Sequence, residues 1–241
     1  MTFNIWQSGN NVNNGLKKII KHIEIVNPDI VALQVNLTSN VAFIYYASFF
    51  IYLIHLSYGP YAAFNKLVTS ENQIMAGEYG RILHITDLLS NKQFKKAIGE
   101  SGYKPVIVAG DFNSPSHLDW TSSTSSFHGG WAFDWPATKY LQTETGLQDS
   151  FRQLYPDVVK SPGITWSTVQ KMSPNGWNWT IPEPQDRIDF IFYTNTTILA
   201  SYSKTYSGYL PVIPLPNHKN NDYPSDHFAV ITDFVAYKRR E

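Results

Sequence analysis

Residues 106–113 read Val-Ile-Val-Ala-Gly-Asp-Phe-Asn, a short apolar run that ends on a glycine and releases two polar side chains separated by one aromatic. Such a run is the signature of a buried strand. Asp111 and Asn113 therefore lie just beyond a strand, two residues apart and able to face one pocket. Two further cassettes follow the same grammar. Arg187-Ile188-Asp189-Phe190 opens an apolar run at 188–193, and Ser225-Asp226-His227 immediately precedes another at 228–236.

Outward from this core the chain mixes strands and helices. Residues 1–6 (MTFNIW) read as a strand. Residues 15–25 place Leu16, Ile19, Ile20 and Ile23 at helical spacing with lysines on the other side, and Asn27-Pro28-Asp29 ends that helix before a buried strand at 30–34. Residues 41–56 form an uncharged apolar run, short of the roughly 20 residues that a membrane span needs. Tyr45, Tyr46, Tyr52 and His55 dilute it, so one or two core strands and no transmembrane segment are expected. Residues 77–98 are helical with a break near Ser90-Asn91, and 114–178 is loop-rich with a short helix within 146–154. Without strict βαβ alternation the pattern favours the α+β class, with two sheets sandwiched between helices in a single domain over residues 1–241.

Composition narrows the function. Hydrophobic residues make up 43% and charged residues 16%, enough for a sizeable core. The chain has 19 basic and 19 acidic residues, and long nucleic acid normally meets a basic face. A small or lipid-linked substrate is therefore favoured over nucleic acid. Arg152 and Arg187 are expected in exposed ion pairs. The absence of cysteine excludes disulfides, zinc–thiolate sites and a thiol nucleophile. Sequons at Asn36, Asn178 and Asn195 would matter only outside the cell. As written the chain reads as cytoplasmic and monomeric; a missing leader would open secretion, so the compartment stays open.

Three acids, an amide and an imidazole at strand ends suit metal-assisted phosphoester cleavage. Each cassette alone also reads as a polar turn. Together they explain one another: Asp189, set among apolar neighbours, needs a partner, and pairing with His227 would satisfy it and fix the imidazole tautomer. Asp111 could orient or deprotonate water, and Asn113 could donate to a phosphoryl oxygen.

The ordered set of Asn4 in TFNIW, residues 27–34 (NPDIVALQ), His55-Leu56, GDFN, RIDF and SDH resembles the endonuclease/exonuclease/phosphatase superfamily over nearly the whole chain. The resemblance implies a DNase I-like four-layer αββα sandwich and Mg²⁺-dependent hydrolysis of a phosphoester, with Mn²⁺ as an alternative ion. Carried over, Asn4 and Asp226 would sit at the metal. Asp111 and Asn113 would activate water and hold phosphate. His227, paired with Asp189, would act as base or transition-state stabiliser, and His55 would contact a phosphate oxygen or the leaving group. One departure stands out. The family pattern places a metal-binding Glu after Leu33-Gln34, where this chain has Val35-Asn36, and only 20 positions separate Val35 from His55. The chain thus reads as a family member lacking some strands between residues 35 and 55. Either it remains a hydrolase, or it is a non-catalytic binding module that keeps the sandwich.

Overall fold

Side-chain parity along a few short strands sets the architecture. The computed structural model describes residues 1–34, 48–50, 59–64, 68–171 and 183–237. One sheet pairs β1 (Thr2–Asn4) parallel with β2 (Ala32–Gln34), Asn4 lying opposite Gln34. With β7 (Ile198–Tyr206) and β8 (Ala229–Ala236) its order is β2-β1-β8-β7. The other sheet runs β3-β4-β6-β5, from β3 (Ser48–Phe50), β4 (Ile107–Asp111), β5 (Gln148–Asp149) and β6 (Asp189–Tyr193). Here β4 is antiparallel to β6, and Asp111 faces Asp189 across the ladder.

Alternate residues of these strands divide between two cores. Ala32, Ala109, Ile191 and Val230 form the layer where the sheets meet, flanked by Ile107 and Phe234. The opposite faces carry the bulk. Met1, Phe3, Ile5, Ala229 and Ile231 pack under α1 (Gly15–Val26) through Ile19, Ile23 and Val26. Val106, Val108, Phe112, Phe190 and Phe192 pack against residues of α3 (Glu71–Ser90), α4 (Lys92–Gly99) and α5 (Pro136–Thr145), among them Ile85, Phe94, Ala137 and Leu141. Each fully buried Phe contributes about 1.5–3 kcal/mol. The layers run helix, sheet, sheet, helix, with α2 (Gly59–Phe64) and α6 (Ser150–Leu154) at the periphery.

Local chemistry explains the boundaries. Ser70 and Gln73 form a capping box at the start of α3. Asn91 ends that helix and caps the next, its side chain accepting from the backbone N–H groups of Gln93 and Phe94. The expected break thus falls where an Asn can serve both helices. Three details depart from the sequence reading. β7 was not foreseen. β4 extends through Asp111, which is therefore the last residue of the strand. On α1 the buried stripe is Ile19 and His22, while Leu16 and Ile20 stand exposed.

The largest departure concerns two arginines. Arg187 and Arg152, expected at the surface, are buried. Arg187 donates to both oxygens of Asp119 at 2.8 and 3.0 Å and to Asp149 at 2.6 Å. Arg152 donates to Asp119 at 2.9 Å and to the carbonyls of Tyr155 and Ser161. Two acids and two arginines balance in charge, and bidentate geometry offsets the desolvation that would otherwise forbid them. Asp119, in the long loop, is the anchor that sequence patterning did not reveal.

His22 is also fully buried. Its Nε2 lies 3.1 Å from the Asp222 carbonyl and its Nδ1 2.8 Å from the Tyr206 hydroxyl, so the neutral ring donates to the first and accepts from the second. Gly208 makes room: a Cβ there would stand 2.7 Å from the ring. Burial lowers the pKa of His22, against the opposing pull of Asp222. The stability carried by the neutral ring is therefore full above about pH 6.5 and declines as pH falls below it. Between pH 7.5 and 5.5, His22→Gln should lose less stability than the parent in urea unfolding, the difference in slope not exceeding about 1.4 kcal/mol per pH unit. Parallel curves would exclude His22 as the titrating group.

Candidate active site

Because Ala32, Ala109 and Ile191 face the opposite sheet, Asn4, Asp111 and Asp189 do so too, each at the end of its strand. Asn4 Nδ2 donates to Asp111 Oδ2 at 2.9 Å across the gap between the sheets. His227, just ahead of β8, places Nδ1 2.8 Å from Asp189 Oδ2, a second bond across the same gap. Its Nε2 lies 3.3 Å from Asn4 Nδ2 and 3.9 Å from Asp111 Oδ2. Asp111, Asp189 and His227 offer ligand atoms all within 4.8 Å of one another.

Backbone and hydroxyl groups hold this cluster. Asp111 Oδ1 accepts the Asn113 N–H at 2.8 Å, closing a tight turn in which Asn113 adopts a left-handed φ of 47°. Asn tolerates that conformation better than most residues. Ser225 Oγ donates to the Asn4 carbonyl at 2.5 Å and accepts the His227 N–H at 3.0 Å. Thr165 Oγ1 accepts from the N–H groups of Ile188 and Asp189. Trp166 packs on the His227 ring at 4.8 Å between centroids, and its indole N–H is bonded to Glu183. After Asn4 the chain takes three consecutive left-handed residues, Trp6, Gln7 and Ser8. The Trp6 N–H donates to Asn4 Oδ1 at 3.0 Å and so directs the amide nitrogen of Asn4 toward Asp111.

Electrostatics follow from burial of like charges. Burial raises the Asp111 carboxyl, and nearby Asp189 adds to that shift. Burial likewise lifts Asp226 to about 7, reinforced by Asp111 and Asp189. For His227 burial acts downward, but the carboxylates of Asp189 and Asp111 override it and carry the ring to about 10. The Asn4 donor suits a neutral ring accepting at Nε2, whereas the carboxylates favour the charged ring. The negative charge held in the cleft decides between them. Two buried oxygens, Asp226 Oδ1 and Asp189 Oδ1, have no partner among the described residues.

Of the residues expected at the site, Asn4, Asp111, Asn113, Asp189 and His227 are joined by these hydrogen bonds. Asp226 belongs with them through its charge interactions. His55 and Val35 lie outside the described residues. Trp120, in the loop after GDFN, is buried, stacked on His128 and bonded to Asp186.

The profile of the Endonuclease/Exonuclease/phosphatase family matches residues 76–227. An uncharacterized protein of Caenorhabditis elegans is 45% identical, over 98% of this chain and 90% of that protein. The chain belongs to the endonuclease/exonuclease/phosphatase family. Family members are generally metal-dependent phosphoesterases. The match to the nematode protein runs over 286 positions, more than the 241 residues of this chain, so that relative carries internal residues this chain lacks. Among solved structures, a functionally unknown conserved protein from Enterococcus faecalis V583 is similar at TM-score 0.40 and 13% identity, over 79% of this chain and 50% of its own. The human Nocturnin catalytic domain, solved with a bound sulfate anion, is similar at 0.37 and 20%, over 65% and 41% respectively. The chain thus spans half or less of these two.

Around this cluster, Ser225, Thr165 and Trp166 are the residues that sequence reading missed as supports. Ser225 stood in a quoted cassette, but a hydroxyl bonded to a strand 221 residues away leaves no local pattern. In metal-free protein, the His227 ring resonances should not titrate until pH approaches about 10. Asp189→Asn should bring that titration down by about 1–3 pH units. An unchanged titration would show that Asp189 does not hold the charge.

Proposed function

We propose that the cleft hydrolyses a phosphoester with the help of a bound divalent cation, Mg²⁺ or Mn²⁺. The observation that carries this reading is the pair of buried carboxylate oxygens without a partner among the described residues, Asp189 Oδ1 within the cluster of Asp111, Asp189 and His227 and Asp226 Oδ1 on the residue next to His227. A buried carboxylate oxygen without a partner is costly, and a hard cation satisfies oxygen donors of this kind. Asp226 would hold the ion, with Asn4 beside it. The bound ion would supply Lewis-acid stabilisation of charge developing on the phosphoryl oxygens.

The chain's own groups divide the remaining work. Asp111, raised by burial, takes the proton from the attacking water as the new O–P bond forms and the bond to the leaving oxygen breaks. Both its oxygens already accept one bond, which fixes the carboxylate while leaving further acceptor capacity. Asn113 donates to a non-bridging phosphate oxygen. His227, held charged by Asp189, stabilises the transition state rather than acting as base. Zero net charge favours a small or lipid-linked phosphoester over long nucleic acid.

A second reading rests on the lack of the family's Glu after Gln34, by substitution or by a one-residue deletion that the neighbouring Val35 favours, and on the longer matched span of the nematode relative. In it the chain is a binding module that no longer turns over substrate. Titration calorimetry with Mg²⁺ and Mn²⁺, alongside hydrolysis of bis(p-nitrophenyl) phosphate and p-nitrophenyl phosphate, separates the two. The hydrolase reading expects weak metal binding, at least about tenfold weaker in Asp226→Ala, since even indirect supports of a metal cost that much. Insertion of Glu after Gln34 should raise both affinity and turnover. Absence of metal binding and of turnover in the parent, unchanged by Asp226→Ala, would leave the binding module.

A further inference from the structure

Glu78 and Arg81 form an ion pair inside the helical layer, 0% and 1% exposed, with Arg81 Nη1 2.5 Å from Glu78 Oε1. Stability alone does not explain the pair. Two charges taken out of water lose several kcal/mol each, and well-packed apolar residues of similar volume usually serve a core as well or better. Burial is the main influence on Glu78 and raises its carboxyl despite the adjacent arginine. The same carboxylate reaches beyond its helix: Ser114 Oγ donates to Glu78 Oε2 at 3.0 Å. Ser114, itself 0% exposed, is the residue after Asn113.

We propose that Glu78 is a positioning residue for the turn that presents Asn113. The proposal rests on the reading of Asn113 as a phosphate contact. The turn carries Asn113 in a left-handed conformation, which Asn adopts at modest cost and which contacts on both sides hold in place. On one side the Asp111 carboxylate takes the Asn113 N–H at 2.8 Å. On the other, Ser114 is tied by its hydroxyl to the Glu78 carboxyl in the middle of α3, a bond between two fully buried side chains with no water to compete for it. Arg81, with Nη1 2.5 Å from Glu78 Oε1, pulls against the upward push of burial and offsets part of the cost of holding this acceptor inside the helical layer. α3 packs on the outer face of the β4 sheet, so the anchor is rigid with respect to the strand that carries Asp111. Two carboxylates, one from the cleft and one from the helical layer, thus clamp the turn from opposite ends.

The decisive variant replaces the pair, Glu78→Met with Arg81→Met, so that no charge is left unpaired. Ser114→Ala removes only the bond to the turn, and Ser114→Thr restores a hydroxyl. Binding of inorganic phosphate in the presence of Mg²⁺, thermal stability, and amide hydrogen exchange at Asn113 are read in each. Melting temperature should be unchanged or higher in the double variant, phosphate affinity should fall roughly tenfold, and the Asn113 amide should exchange at least tenfold faster. Ser114→Ala should follow the double variant, and Ser114→Thr should recover toward the parent. A double variant that binds phosphate and protects Asn113 as the parent does would overturn the proposal. So would a loss of phosphate affinity that merely tracks a fall in melting temperature. If the parent itself binds no phosphate, the reading of Asn113 fails, and the exchange rates alone then decide whether Glu78 positions the turn.

Discussion

The hydrogen bond from Asn4 to Asp111 is the contact on which the rest of the site depends. It joins two sheets at the edge of an apolar layer formed by Ala32, Ala109, Ile191 and Val230. Where that apolar layer ends, parity still points strand residues inward, and an inward polar group must find a partner. Asn4 finds Asp111, and His227 finds Asp189. The polar cluster is thus what the termination of an inter-sheet core looks like when the terminal residues are acids, an amide and an imidazole.

Much of this was legible in the sequence because it is local. Apolar runs bounded by glycine and Asx residues report strands directly, and the cassettes at their ends report which side chains stand at the sheet edge. Asp189 among apolar neighbours demanded a partner, and its pairing with His227 followed from the chemistry of burial. What stayed hidden was set by distance along the chain. Arg187 sits beside Asp189 in the sequence, but its burial depends on Asp119, 68 residues away, and nothing near either residue announces it. β7 escaped because serine, lysine and threonine interrupt any apolar run and its buried residues, Ala200, Ser203 and Tyr206, do not alternate, the register shifting between Ala200 and Tyr202. On α1, Leu16 and Ile20 share the apolar spacing of Ile19, yet the groove between sheet and helix admits only the narrower stripe that includes His22.

The site also shows how one group's state depends on its neighbours' charge. Asp111 and Asp189 lie with His227 in one buried cluster, and Asp226 acts on all three through its charge. Burial opposes the ionisation of Asp111, Asp226 and His227 separately, yet the acids together favour the imidazolium. Any added positive charge in the cleft would weaken that preference and lower the carboxyl groups toward their ordinary range. Charge balance in the cleft is thus a collective property, and exchanging one acid for its amide shifts every other titration.

The buried lattice of Asp119, Asp149, Arg152 and Arg187 bears on how such a chain evolves. It ties the long loop after β4 to the start of β6 and to α6 without using any residue of the cleft. Cohesion of this part of the scaffold therefore rests on residues other than those of the proposed metal site. A lineage can lose a metal-binding carboxylate and still inherit a protein that folds, escapes proteolysis and remains open to selection for another role. In a domain stapled together by its metal, the same loss would end the lineage.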